Sequence, residues 1–357
     1  MHDGVEDISA ELRRPKLDYP FETVPTPGAG DAVEIAPGVL WLRQPLGGPL
    51  GFINVWALAD GEGWCIVDTG MQTRETAQAW REAFKGALGG RPITRVIVTH
   101  LHPDHIGLAG WMTRKFQCRL WMTRLEYIQC RMLVADTGRE APEDGLRFYK
   151  AAGWDEDAID NYRARFGGFG KGIYQLPDSY RRMSDGETIR IGDSDWTVVT
   201  GNGHSPDHAC LWCPELNLFI SGDQVLPRIS SNVSVFPTEP DGDPLTDWLG
   251  SLAKLKASIP AGVLTLPAHN DPFYGVHARL DHLAAGHERQ LGRLEKSISE
   301  APKRSIDVFG SLFARPIGPE LMGMATGESL AHLNCLIGRG RAVAETDADG
   351  VTWYRAA

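Results

Sequence analysis

Between Thr99 and His105 the chain reads Thr-His-Leu-His-Pro-Asp-His, so His100, His102, Asp104 and His105 crowd metal-binding side chains into one short run. The preceding segment, TRVIVTH, has the look of a short apolar strand, and HPDHIGLAGWMTRKF reads as a loop entering a helix. Side chains alternate along an extended chain, so His100, His102 and Asp104 point the same way. The turn into the helix can then bring His105 beside Asp104. Three further groups stand at the exits of apolar strands: His204 in TGNGHSP, Asp223 in SGD and His269 in PAH. Each alone reads as a cap or loop residue. Together they read as the third, fourth and fifth parts of one metal site. A divalent ion held there would lower the pKa of bound water to ~7 and polarise a carbonyl or phosphoryl oxygen, which is the chemistry of hydrolysis.

The surrounding elements fit that placement. VLWLRQPL, FINVWALAD and WCIVDTG are strand-like runs separated by Gly and Pro turns. Apolar residues at helical spacing over 73–88 predict a helix ending at Gly89-Gly90. ETIRIG, DWTVVTG, ACLWCP and NLFISGD predict later strands, Pro244 to Lys256 a helix, and GVLTLPAH a last strand before a long amphipathic stretch from Tyr274 to Ala301. The glycines beside His204 allow a tight loop of close approach. Strand and helix in alternation indicate a layered α/β architecture. We expect an N-terminal arm over 1–32, a main domain over 33–301 with a helical insertion at about 123–185, and a small domain over 302–357. That last segment has helical patches near 305–314, 319–325 and 328–338, then two strands joined by DADG, a winged-helix-like order.

Composition narrows the function. The chain has 357 residues and a formal charge of −10, a poor balance for a protein that grips nucleic acid. Residues 302–357 carry six Lys/Arg against six Asp/Glu, which argues against duplex binding by that module as well. Six cysteines are too sparse for a disulfide scaffold. The start, MHDGVEDISAELRR, is acidic and polar, and no apolar run approaches the ~20 residues of a membrane span, so a cytoplasmic location is expected.

The run THLHPDH, followed by His204, Asp223 and His269, resembles the metallo-β-lactamase fold hydrolase superfamily over roughly residues 33–275. The tail resembles the winged-helix extension of its glyoxalase II-like branch. The resemblance implies a four-layer αββα fold and two divalent metal ions. One would be held by His100, His102 and His204, the second by Asp104, His105 and His269, with Asp223 bridging them. Asp68 in IVDTG would support the metal-binding loop, and Asp104 would also orient the nucleophile and pass a proton onward. Zinc is the first choice for the imidazole-rich set, while the carboxylates also suit iron or manganese. True β-lactamases of this fold generally lack the bridging carboxylate, so antibiotic hydrolysis is not expected. The expected activity is hydrolysis of a thioester, lactone or related carboxylic ester by a metal-bridging hydroxide. Rival readings are a metal-dependent phosphodiesterase or nuclease and a mononuclear iron persulfide dioxygenase. The expected partner is a small acyl ester or thioester, with a homodimer as the expected assembly if the tail packs against a second subunit.

Tyr127, Met132, Phe148, Tyr149, Tyr162 and Phe166 have spacings that could line a lid over the metals, or could be ordinary helix core. From Arg114 to Arg182 there are 13 Lys/Arg against 10 Asp/Glu, a slight excess suited to an anionic acyl carrier. Cys210 and Cys213 form a CxxC inside a strand pattern and read as structural. His277, His282 and His287 recur in steps of five, which keep no single helix face, so they are expected at the surface.

Overall fold

Successive residues of the central strands point into two different cores, and this explains why they read as continuous apolar runs rather than alternating ones. The computed structural model describes residues 15–357. The described elements begin with β1 (Ala32–Ala36), β2 (Val39–Pro45), β3 (Phe52–Asp60) and β4 (Gly63–Val67), an antiparallel series. Helix α1 (Arg74–Lys85) leads to β5 (Ile93–Ile97), which joins β4 in parallel. The short α2 (Pro103–Ile106) and α3 (Ala109–Phe116) precede β6 (Arg119–Thr123). In β3, Val55 and Ala57 face helices, whereas Trp56 and Leu58 face the second sheet.

The second sheet is built from β8 (Thr188–Ile191), β9 (Ser194–Gly201), β10 (His208–Cys213), β11 (Leu218–Gly222) and β12 (Leu264–Pro267), in the order β12-β11-β10-β9-β8. Its inner face supplies Trp196, Val198, Leu211 and Ile220 to the core shared with Trp41, Trp56 and Ile97. Its outer face is covered by α7 (Pro244–Ser258) and α8 (Val276–Glu300). On the other side α1, α3 and α4 (Arg124–Ala135) cover the first sheet through Trp80, Met112 and Cys130. Helix, sheet, sheet, helix are therefore the four layers.

Local signals start and orient the helices. Thr73 accepts a bond from the Thr76 N–H at 3.1 Å and caps α1, whose Ala79, Trp80, Ala83 and Phe84 are buried at helical spacing. Along α8 the buried residues are Val276, Arg279, Leu280, Leu283, His287, Leu291, Leu294 and Ile298, a stripe that recurs in steps of three and four as one helix face does. His287 thus belongs to the core and not to the surface as its spacing from His282 implied. The relevant neighbours are the residues three and four positions away. His287 Nδ1 lies 3.3 Å from His332 Nε2.

The segment expected as a helical insertion over 123–185 is the crossover between two strands of the first sheet. It holds α4, α5 (Glu143–Ala151) and α6 (Glu156–Arg165), then returns to β7 (Arg181–Met183), parallel to β6. At the C-terminus a 3₁₀ turn over Ser305–Val308 runs into α9 (Phe309–Leu312). The two patches at 319–325 and 328–338 are one helix, α10 (Met322–Gly338). Gly327 does not interrupt it, because α10 presses there on 234–235, where a Cβ would come within 2.8 Å of the Val235 carbonyl. The hairpin β13 (Ala342–Thr346) and β14 (Thr352–Ala356) completes the chain. Residues 1–14 of the expected N-terminal arm lie outside the described residues. From Pro15 onward the arm pairs with the main domain at Tyr274, whose N–H donates to the Asp18 carbonyl at 2.8 Å.

Candidate metal centre

Every group singled out for metal binding leaves a strand at the same edge of the two sheets. Asp68 follows β4, Thr99–His105 follows β5, and His204 follows β9. Asp223 and His269 leave the parallel neighbours β11 and β12, tied by the Ala268 N–H to the Gly222 carbonyl at 3.1 Å. The Ala209 N–H donates to Thr99 O at 2.8 Å and locks the first sheet's loop onto the second sheet. Two glycines are required by contact. Gly203, at φ +99°, approaches Trp248 so closely that a Cβ would lie 2.5 Å from that side chain. Gly222, at φ +51°, leaves no room for a Cβ against the His208 ring.

Three sets of ligand atoms come together: His100, His102 and His204; Asp104, His105 and His269; and His100, His105 and Asp223. The oxygens of Asp223 divide between the first two sets. Oδ2 lies 3.5 Å from His204 Nε2, whereas Oδ1 lies 3.6 Å from His105 Nε2 and 3.5 Å from His269 Nε2. His269 Nε2 is also 3.3 Å from Asp104 Oδ2. His105 Nε2, His204 Nε2 and Asp223 Oδ1 are buried without a hydrogen-bond partner. Native cores rarely leave such atoms bare. Buried lone-pair donors converging without partners are what a divalent cation satisfies, so the residues fit a metal.

The outer ring nitrogens are already occupied, which aims the inner ones. His105 Nδ1 pairs with Asp68 Oδ2 at 2.7 Å, and His204 Nδ1 meets the Asn232 carbonyl at 2.7 Å. Asp68 is fixed in turn by the Thr99 N–H and hydroxyl, both at 2.8 Å, and sits in the left-handed region at φ 62°. Burial followed by neighbouring imidazoles lowers His100 well below the usual histidine range, so it stays neutral with its lone pair free. Burial opposes ionisation of Asp223, but His105 and His269 outweigh it and hold this carboxylate well below its usual range. Burial likewise disfavours charge on His105, yet Asp104, Asp68 and Asp223 raise it well above the normal value.

Two supporting residues were not singled out in the sequence. His208 is fully buried, stacks on His100 at 4.7 Å, and its Nε2 accepts the Asp223 N–H at 3.1 Å. Its position four residues after His204 was the available signal. Glu126 is buried in α4, and its carboxylate accepts from Leu101 N at 2.9 Å, Ser205 Oγ at 2.6 Å and Asp207 N at 2.8 Å. It clamps the His100 loop to the His204 loop, while burial pushes its pKa up to about 7. Nothing local in a helix marks such a residue.

His102 and His204 open onto a cleft of about 1220 Å³. Of the expected pocket residues, Met132, Phe148, Tyr149, Tyr162 and Phe166 line it. Tyr127 does not. It lies on the buried face of α4, stacks on Tyr180 at 3.9 Å and donates to the Pro177 carbonyl at 2.8 Å. Within that segment Arg139, Arg147 and Arg163 pair with Asp136, Asp144 and Asp160, three positions earlier in the chain. Cys210 and Cys213 are buried free thiols in β10. Among the described residues no helix is long and apolar enough to cross a membrane.

Residues 48–268 match the Metallo-beta-lactamase superfamily, and residues 291–357 match the metallo-beta-lactamase-like C-terminal domain, which starts inside α8. The solved structure of a beta-lactamase domain protein from Burkholderia ambifaria is 39% identical with a TM-score of 0.87, covering 96% of this chain and 98% of that one. The probable metallo-hydrolase YqjP of Bacillus subtilis is 25% identical over 309 residues, 84% of this chain and 92% of the relative. The acyl-coenzyme A thioesterase MBLAC2 of Homo sapiens is 25% identical over 285 residues, 75% of this chain and 90% of the relative. With its histidines and carboxylates gathered at one edge of paired sheets, and a family match over more than half its length, the chain belongs to the metallo-beta-lactamase superfamily of hydrolases.

Proposed function

We propose that this protein is a dinuclear metal-dependent hydrolase of acyl thioesters, with lactones or other activated carboxylic esters as related substrates. The single observation that carries this reading is the division of Asp223, one oxygen toward His204 and the other toward His105 and His269. His100, His102 and His204 would hold one ion and Asp104, His105 and His269 the second, with Asp223 placed to serve both sets. Zinc suits five imidazoles and two carboxylates. The two ions would supply Lewis acidity and a water nucleophile ionised near neutral pH.

The chain's own residues do the rest. Asp104 is half-buried, and His105 and His269 hold its carboxyl below the usual range although burial opposes this. It is therefore ionised at neutral pH, able to orient a water and carry its proton toward the departing thiolate. Asp68 and the Asn232 carbonyl keep the rings of His105 and His204 in the required tautomers. Similarity to an acyl-coenzyme A thioesterase favours the thioester class. The bridging carboxylate and the helix-then-hairpin tail favour the glyoxalase II-like branch with its winged-helix extension. Free thiols at all six cysteines suit a reducing compartment such as the cytoplasm.

The test is metal content per chain together with thioester turnover. Near two equivalents of zinc with turnover is the expected result, and Asp223→Ala should lose both. One equivalent of iron with oxygen consumption, or an Asp223→Ala protein that keeps two metals and full activity, would refute the reading.

A further inference from the structure

The cleft beside His102 is larger than the ~300–1,000 Å³ of ordinary small-ligand sites. It has two walls. One is the crossover helices, through Met132, Phe148 and Tyr149, and the other is the C-terminal module, through Leu330, Ile337 and the hairpin residues Ala344 and Tyr354. The walls are joined at their base. Trp154 Nε1 donates to Thr326 Oγ1 at 2.9 Å, the Ile306 N–H to the Ala152 carbonyl at 3.3 Å, and Phe148 packs on the core around α10. Large apolar side chains remain open to water along this cleft: Met132 is 43% exposed, Phe236 49% and Ile337 37%. An uncovered apolar lining next to a reactive centre marks a binding surface.

We propose that this cleft is an acyl subsite for a long or bulky apolar chain, and that the C-terminal module, through α10 and its hairpin, sets the acyl length the enzyme accepts. The inference rests on the hydrolase reading above and names its substrate class. It also assigns recognition to the acyl half and not to an anionic carrier. The cleft is lined by three arginines, Arg139, Arg147 and Arg165, against three aspartates, Asp136, Asp144 and Asp241, so it offers no net positive charge to phosphates. Continuity with the centre is direct, because His102 and His204 line the same space. A carbonyl presented to the metals therefore leaves its chain pointing between the two walls.

The experiment pairs binding with turnover. Thioether analogues of N-acetylcysteamine esters, with CH₂ in place of the carbonyl, are titrated calorimetrically from ethyl to dodecyl. The matching thioesters, and their coenzyme A counterparts, are assayed for hydrolysis. Affinity and kcat/KM should rise by up to about fourfold per methylene until the cleft is filled. Changing the carrier from N-acetylcysteamine to coenzyme A should alter them less than threefold. Ala344→Trp, on the hairpin, should reduce the decyl-to-ethyl affinity ratio at least tenfold, and Phe236→Ala should reduce it in the same direction by removing contact area. Chain-length-dependent binding without any thioester hydrolysis would refute the hydrolase reading while supporting the subsite. Hydrolysis with affinity flat across the series, or a preference for coenzyme A independent of chain length, would overturn the subsite.

Discussion

Replacing Glu126 by alanine removes the acceptor of three bonds that cross between the His100 and His204 loops. The Leu101 N–H, the Asp207 N–H and the Ser205 hydroxyl would lose it together. A buried donor left unpaired costs about 1–3 kcal/mol, so three such donors, partly relieved by entering water, should cost about 3–5 kcal/mol. Glu126→Gln keeps the volume and one acceptor oxygen, but its amide must face the Leu101 N–H, a single donor–donor conflict of about 1–3 kcal/mol. The loops carry the proposed ligands from both sides of the site, so Glu126→Ala should also weaken the binding of added zinc by about 10–100-fold, as losses of outer support typically do. Urea unfolding of the metal-free protein reads the first quantity, and zinc competition against a chelator the second.

Acidity gives a further handle on the same residue. Burial raises the Glu126 pKa from its ordinary value to about 7 in the folded chain. The folded state therefore holds this proton more tightly than the unfolded chain. Its contribution to stability is full below about pH 4.5 and is lost as pH rises through 7. In Glu126→Gln that part of the pH dependence should vanish. An alanine variant with unchanged unfolding midpoint and zinc affinity would refute the clamp. Equal effects of Ala and Gln would show that charge, and not bond count, is what matters.

Other consequences are as direct. Glu328 in α10 accepts from the Asn232 side chain at 2.8 Å, and the Asn232 carbonyl holds His204, so Glu328→Ala should shift the visible spectrum of the cobalt-substituted protein and weaken metal binding about tenfold. Glu328→Gln should restore both, and an unchanged spectrum in the alanine variant would break the link. His332 is buried and its pKa is lowered to about 4 by that burial, so its contribution is full above pH 6.5 and is lost as pH falls toward 4. At pH 5 the loss should be about 2 kcal/mol, and a His332→Gln variant whose stability falls with acid as steeply as the parent's would contradict it.

Much of the candidate metal centre was legible because metal chemistry needs particular residue types and strands place them simply. The run from His100 to His105, and single groups after β9, β11 and β12, could be named since a parallel or layered sheet delivers its strand exits to one edge. The helix opened by Thr73, which stops at Lys85 rather than at Gly89, the strand FINVWALAD and the long α8 were likewise visible as periodicity and punctuation. Where local pattern competed with packing, packing decided. Tyr127 had the same spacing signal as Tyr149, yet one lies on the buried face of α4 and the other on the cleft. His287 looked like a surface member of a histidine series until the core stripe of α8 enclosed it. Gly327 was compatible with a break in α10, but the neighbouring backbone required a residue without Cβ in mid-helix.

The sequence alone determined the type of chemistry, because the ligand residues are unusual in kind and dense in number. Only the tertiary structure decided how they act together. The split of Asp223 between two ligand sets, the clamp of Glu126 and the stacking of His208 all join residues far apart in sequence. The same holds for the cleft, whose walls come from helices near residue 150 and a hairpin near residue 350. Local sequence encodes the propensity of each segment, but which distant segments meet depends on how the two sheets and their covering helices bury apolar surface together.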